Sequence, residues 1–346
     1  MRKQRLILLF DGTWNDPEDQ TNVYRLSRRI HDYDGSMRQR FFYDPGVGTS
    51  KWSRFRGGAF GWGLSKNLGE GYDWLARNYT ENDEIWIFGF SRGAYTARSL
   101  VGMLRKCGLL HISTPWLIDQ AEKLYRTKRI APDCEECAKF RQLYSREINV
   151  HFLGVWDTVG SLGIPGTFLS ENGKYAWHDT KLSKIVKHAY QAVALDEFRA
   201  AYNTSLWTGT KKLEQVDVEQ RWFIGAHANV GGGYGTDSLA DISLQWMQKK
   251  ASDAGLKMDI YEPADDAWQA KPNPSYDDFL GGFYARLCRL RNKGDGKFYR
   301  QYSGDDKQHP AVNVTVDDSV WRRWLDGDDN YRPMTLTNAG LKPPEP

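Results

Sequence analysis

The sequence predicts an α/β protein with a mostly parallel central sheet and helices on both faces. Three observations carry that expectation. Short apolar runs of strand length end in turns rich in glycine and aspartate, and stretches of helical period separate them. In the run from Ile85 to Ala94 a strand passes into a helix through Gly89-Phe90-Ser91-Arg92-Gly93, a G-x-S-x-G. Ala94, Ala97, Leu100, Val101 and Leu104 then repeat at helical spacing. A serine on so tight a turn adopts strained dihedrals, and glycines two residues either side let the neighbouring backbone pass without a Cβ clash. Such a turn lifts the hydroxyl above the sheet edge at a helix N-terminus, where developing negative charge is favoured. The plain alternative is a serine that only N-caps its helix.

The other elements follow in order. Arg5 to Phe10 reads as a strand ending in Asp11-Gly12-Thr13-Trp14-Asn15. That ending invites a phosphatase reading, but Leu9 stands where its nucleophilic aspartate belongs. Gly12 and Thr13 remain as amides facing the serine turn, or as part of an ordinary Asx-type turn. Thr21 to Ile30 fits a short helix and Phe41 to Tyr43 a second strand. Residues 47–63 complete neither a P-loop nor a dinucleotide-loop spacing and read as a mobile surface loop. Leu64, Leu68, Tyr72, Leu75 and Tyr79 share one helical face. The helical, polar stretch 108–147 is expected to be a cap or an extra surface helix pair. Asn149 to Val155 is a strand running into Trp156-Asp157. His188 to Leu195 is another, ending in Asp196, and Arg221 to Ile224 a third, leading to the glycine-rich segment His227 to Tyr234. Leu239, Ile242, Trp246 and Met247 mark an amphipathic helix. Past residue 255 the pattern weakens. We therefore expect a catalytic core over 1–255 and an extension over 256–346 packed on it in the same domain.

Composition narrows the classes. The 346-residue chain is 40% hydrophobic and 14% aromatic, enough for a large core, and most of its 14 tryptophans are expected there. A net charge of +3 argues against a general nucleic-acid binder. No apolar run reaches transmembrane length. The apolar stretch after the basic N-terminus is too short for a signal peptide, so a cytoplasmic location is expected, with any export independent of one. Cys107, Cys134, Cys137 and Cys288 suggest no disulfide framework. The Cys134/Cys137 pair has knuckle spacing but no second pair near it, so neither metal nor cofactor is expected. The segment Arg286 to Arg300 holds six Lys/Arg against Asp295 alone. It reads as a solvated face or as a peripheral contact for a membrane surface or phosphate headgroup.

Strand-end residues Ser91, Asp157 and His227 occur in the order Ser…Asp…His, the chain order of the α/β-hydrolase triad. A serine hydroxyl is a poor nucleophile until an imidazole takes its proton, and that imidazole needs a carboxylate to fix its tautomer. In open α/β sheets, groups at the carboxyl ends of several strands converge on one crevice. Among seven histidines, His227 alone stands at a strand end inside a glycine-rich turn. His188 lies within a strand-like run. Asp196 rivals Asp157 by position, and Asp11 is early in the chain yet within reach of the same crevice.

Three segments together resemble one family: Phe10 to Asn15, Gly89 to Arg98, and Gly154 to Gly160. It is the α/β-hydrolase-like domain family whose best-understood members are type VI secretion phospholipase effectors. His227 to Tyr234 is similar to its histidine motif and Tyr331-Arg332-Pro333 to its C-terminal signature. The resemblance implies Ser91 as nucleophile, Asp157 rather than Asp196 as acid, and His227 as base. Ala228 and Asn229 depart from the serine and aspartate often found there, and the toxin members are generally longer, with added membrane-docking segments. The expected activity is ester hydrolysis on a phospholipid or other lipid. The Arg92 amide, with that of Gly12 or Thr13, would form the oxyanion hole. The alternatives are a non-catalytic binding or scaffold module on the same fold, and an esterase or acyltransferase for small soluble esters.

Overall fold

The computed structural model describes residues 3–12, 19–46, 59–127, 129–159, 181–209, 212–235, 237–279, 281–291, 294–305 and 309–345. Thr13, most of the 47–63 loop and the glycine-rich stretch after Val159 lie outside the described residues.

The strands are β1 (Gln4–Phe10), β2 (Arg38–Asp44), β3 (Glu84–Phe90), β4 (Leu109–Leu110), β5 (Ser145–Arg146), β6 (Val150–Trp156), β7 (Val186–Ala194), β8 (Asp217–Phe223) and β9 (Val314–Val316). Seven of them form one sheet in the order β2-β1-β3-β6-β7-β8-β9, with every pairing parallel. β4 and β5 make a separate antiparallel ribbon.

The helices explain why the inner strands are apolar along their whole length. On one face α2 (Ala59–Asn78) and α3 (Arg92–Cys107) contribute Leu68, Tyr72, Ala97 and Leu100 to a cluster with Leu6, Leu8, Ile85 and Ile87. On the other, α1 (Asn22–Ser27) and α7 (Ser238–Asp253) set Val23, Leu26, Leu244 and Met247 against Ile7, Leu9, Trp86 and Phe88. A parallel sheet covered on both faces needs side chains buried on both, so period-2 alternation disappears. Trp86, Trp156, Trp207 and Trp222 are among the largest fully buried side chains, the use expected for most tryptophans.

Chain direction and register bring the strand ends to one edge. The chain leaves β1 for β2 and returns past it to β3, so the order reverses between β1 and β3, the position at which α/β sheets open a crevice. Phe10 lies opposite Gly89, Phe90 opposite Trp156, and Trp156 opposite Ala192. Ser91 and Asp157, which follow, therefore leave the sheet at the same level, with Asp11 one residue behind them beside Phe90.

Several elements differ from the sequence expectation. α1 stops at Ser27, after a start capped by the Thr21 side chain, and Ile30 instead bridges to Met258. His227 opens a short helix, α6 (His227–Gly231), where a turn was expected. Stretch 108–147 forms α4 (Pro115–Arg126) and α5 (Glu135–Tyr144) around the distal half of α3. There Lys106 Nζ donates to the carbonyls of Tyr125 and Thr127, and Cys107 Sγ meets that of Ala121. Cys134 N-caps α5. The weakly patterned C-terminal stretch supplies α8 (Ser275–Asp278), α9 (Phe283–Arg291), the seventh strand β9, α10 (Asp318–Asp326) and α11 (Met334–Asn338). No described helix is long and apolar enough to cross a membrane.

Asn22 ties α1 to the helices behind it. Its buried Nδ2 reaches the Val230 carbonyl at 3.0 Å, the Ala240 carbonyl at 2.9 Å and Ser243 Oγ at 3.1 Å. Asn22→Ala strands these acceptors and should cost about 1–3 kcal/mol, read as a lowered midpoint of chemical unfolding. An unchanged midpoint would show that the tie contributes nothing.

Candidate active site

The turn after β3 is built by close approach. A Cβ on Gly89 would sit 2.5 Å from the Gly93 carbonyl oxygen, and one on Gly93 would sit 2.1 Å from that of Phe10. Ser91 between them adopts φ 58° and ψ −119°, a strained region for a residue with a side chain. Its amide is held by the Trp156 carbonyl at 3.0 Å. Ser91 occupies the N-cap position of α3, but its hydroxyl makes no capping bond. Its Oγ lies instead 2.8 Å from His227 Nε2.

His227 Nδ1 is 2.6 Å from Asp157 Oδ2, so the three strand-end residues form one hydrogen-bonded line. Asp157 leaves β6 with φ 38°, another strained turn, and its amide is pinned to the Ala192 carbonyl at 2.7 Å. The carboxylate is fully buried. Burial alone would raise its pKa, but Arg300 and His227 outweigh that and hold it well below the usual carboxylate range. For His227, burial pushes the pKa below its ordinary 6.5 against the opposing pull of Asp157. The imidazole is thus neutral near pH 7, with Nδ1–H donating to Asp157 and Nε2 accepting from Ser91.

The other candidates have different partners. The buried Asp196 accepts from the Gly225 amide at 2.7 Å and from Tyr331 Oη at 2.8 Å, fastening the turn before His227 to the C-terminal segment. Asp11 accepts from Tyr43 Oη at 2.8 Å and from Thr21 Oγ1, and so ties the end of β1 to β2 and to the start of α1. The Gly12 amide donates to Asp11 Oδ1 at 2.7 Å. Arg92 is the first residue of α3, where backbone N–H groups lack acceptors within the helix. Thr13 lies outside the described residues. Asn229, at a position departing from the resembled motif, bonds Ala226, Asp237 and Asn273 and fixes α6 from behind.

Sequence reasoning missed the surroundings of His227. The Phe90 ring is 4.7 Å from the imidazole and the Tyr202 ring 5.1 Å, with Phe279 6.1 Å beyond Tyr202. Glu197, fully buried, takes both prongs of Arg199 at 2.8 and 2.6 Å and accepts from the His227 amide at 3.3 Å. Arg199 in turn lies 3.6 Å over the Tyr202 ring. Phe90 ends β3, whereas Tyr202 and Phe279 come from the segments after β7 and around α8. The only early signal was Asp196-Glu197 at a strand end. Among the described residues, no group of three or more His, Cys, Asp or Glu side chains is arranged to hold a metal ion.

An uncharacterized protein of Saccharomyces cerevisiae is 29% identical over 231 residues, 59% of this chain and 33% of that protein. A crystal structure of an uncharacterized protein from Pseudomonas aeruginosa aligns with TM-score 0.47 and 19% identity, over 75% of this chain and 47% of that one. A structure of the Tle1 effector bound to the VgrG spike of the type VI secretion system aligns with TM-score 0.39 and 20% identity, over 67% and 52%. The chain spans about a third of the yeast protein and about half of each solved chain. Residues 4–250, which include Ser91, Asp157 and His227, match the family described as type VI secretion phospholipase effector, Tle1-like, catalytic domain, and the chain belongs to that family.

Proposed function

We propose that the protein is a serine hydrolase that cleaves a carboxylic ester, the acyl ester of a phospholipid being the substrate class that its family suggests. The observation that carries the reading is the line from Ser91 Oγ through His227 to Asp157, at 2.8 and 2.6 Å, on a strained G-x-S-x-G turn.

Ser91 Oγ attacks the ester carbonyl carbon while its proton passes to His227 Nε2. Asp157 holds Nδ1–H and stabilises the imidazolium that forms. The Arg92 amide at the start of α3 faces the oxyanion. Gly12 becomes a second donor once it leaves Asp11. Collapse of the tetrahedral intermediate breaks the carbon–oxygen bond of the leaving alcohol, which takes the proton from His227. Water then attacks the acyl-serine, gives a proton to His227, and releases the fatty acid as Ser91 recovers its hydrogen. The chemistry of each step is carried by side chains and backbone. The Tyr202 ring against His227, with Phe279 beyond it, gives the His227 side of the site an apolar wall suited to an acyl chain. Delivery by a type VI apparatus is the route that family membership suggests.

Two outcomes test this. A fluorophosphonate probe should label the native protein but not Ser91→Ala, and hydrolysis of phospholipid vesicles should fall by at least about a thousandfold in that variant. Equal labelling or equal hydrolysis would overturn the assignment. Folded native protein that takes no label even in detergent micelles would point to a binding module. The pH profile is the second outcome. The base works only when neutral, so kcat/KM should decline tenfold per unit on the acid side, with a midpoint below about 6.5 because burial lowers His227. A midpoint above 7 would contradict the neutral, buried base.

A further inference from the structure

We infer that Arg300 is a positioning residue for the proposed triad: it grips both oxygens of Asp157 and makes the alignment of His227 depend on the C-terminal extension. The inference rests on the triad reading above.

Arg300 Nη1 lies 2.6 Å from Asp157 Oδ1 and Nη2 lies 3.0 Å from Oδ2. The same two nitrogens bond the carbonyls of Ala194, at 2.9 Å, and Tyr202, so the guanidinium is fixed from behind by the segment that walls the site. Both side chains are fully buried. Each carboxylate oxygen therefore has assigned donors. Oδ1 takes Arg300 and the Ala194 amide at 3.1 Å, and Oδ2 takes Arg300 and His227. Asp157 cannot rotate toward or away from the imidazole without breaking charged bonds. A planar two-pronged cation does this, and a lysine ammonium supplies the charge without the fork.

Arg300 is the last cation of the basic run that begins at Arg286. Other members behave as a surface would: Arg289 pairs with the exposed Asp277, and Lys297 lies 4.5 Å over the Phe198 ring. Among the described members Arg300 alone is fully buried, and it lies beyond residues 4–250 that carry the family match. Among the described residues, the groups facing His227 are Asp157 and the Ser91 hydroxyl, then Glu197, Arg199 and Tyr202 from the segment after β7. Glu197 and Arg199 pair with each other. That leaves Arg300 as the cation that offsets Asp157. Its removal would let the full carboxylate charge act on the imidazole, which becomes more basic.

The test is the rate at which a fluorophosphonate labels Ser91, followed against pH for the native protein, Arg300→Lys and Arg300→Gln, with thermal melting as the check on folding. Arg300→Gln should label at least about a hundredfold more slowly, with the acid-side midpoint raised by about one unit. Arg300→Lys should keep the native midpoint and lose about tenfold in rate. A native rate in either folded variant overturns the inference. So does a slowed Arg300→Gln with an unmoved midpoint, which is what a merely structural ion pair would give. Should Arg300→Gln fail to fold, Arg300→Lys decides by its rate. Native protein that takes no label at Ser91 ends both this inference and the triad reading, whereas native labelling with unaffected variants ends this one alone.

Discussion

Asp157 is the point on which the site is assembled. A carboxylate removed from water is tolerated only when it is paired and fully hydrogen-bonded. Every donor that satisfies it comes from a different part of the chain: His227 from α6, the Ala194 amide from the end of β7, and Arg300 from the extension. Satisfying one buried charge thus fixes the mutual position of three segments that the sheet alone brings only to the same edge. The geometry at Ser91 follows from this, because the imidazole that meets its hydroxyl is held by the same carboxylate.

The sheet supplies the coarse convergence and strained turns supply the fine placement. Parallel register sets Ser91 and Asp157 level with each other and Asp11 one residue behind them. Positive φ at Ser91 and Asp157 then turns both side chains out of the strand path, at a cost of roughly 1–3 kcal/mol each. Such strain persists only where packing over-determines it. At Ser91 the packing is visible in Gly89 and Gly93, each in contact with backbone that leaves no room for a Cβ. The hydroxyl is thereby freed from capping α3 and turned to the imidazole.

What the sequence made legible was what local pattern encodes. Apolar runs located six of the seven strands of the sheet. Ser91, Asp157 and His227 could be named because each follows such a run. The preference for Asp157 over Asp196 came from resemblance, since both end strands. The structure gives a physical reason for their difference: Asp196 is occupied by Gly225 and Tyr331, and Asp157 faces the imidazole. β9 was missed because three half-buried residues carry no periodic signal. For the Gly12 amide the sequence left two readings open, facing the serine turn or belonging to an Asx-type turn, and the amide donates to its neighbouring carboxylate.

Arg300 was illegible for a different reason. In a run of basic residues each cation looks alike, and the expectation for such a run is a solvated face. Only tertiary pairing singles one out, and its partner lies far away in the chain at Asp157. Ser91, His227 and Asp157, the proposed triad, lie within the matched region, yet the countercharge to Asp157 comes from outside it. A family resemblance drawn from short motifs therefore points to the proposed triad while leaving unseen the cation that holds its carboxylate in place. In this fold the extension is part of the electrostatics of the site, and its packing and the site's alignment are one constraint.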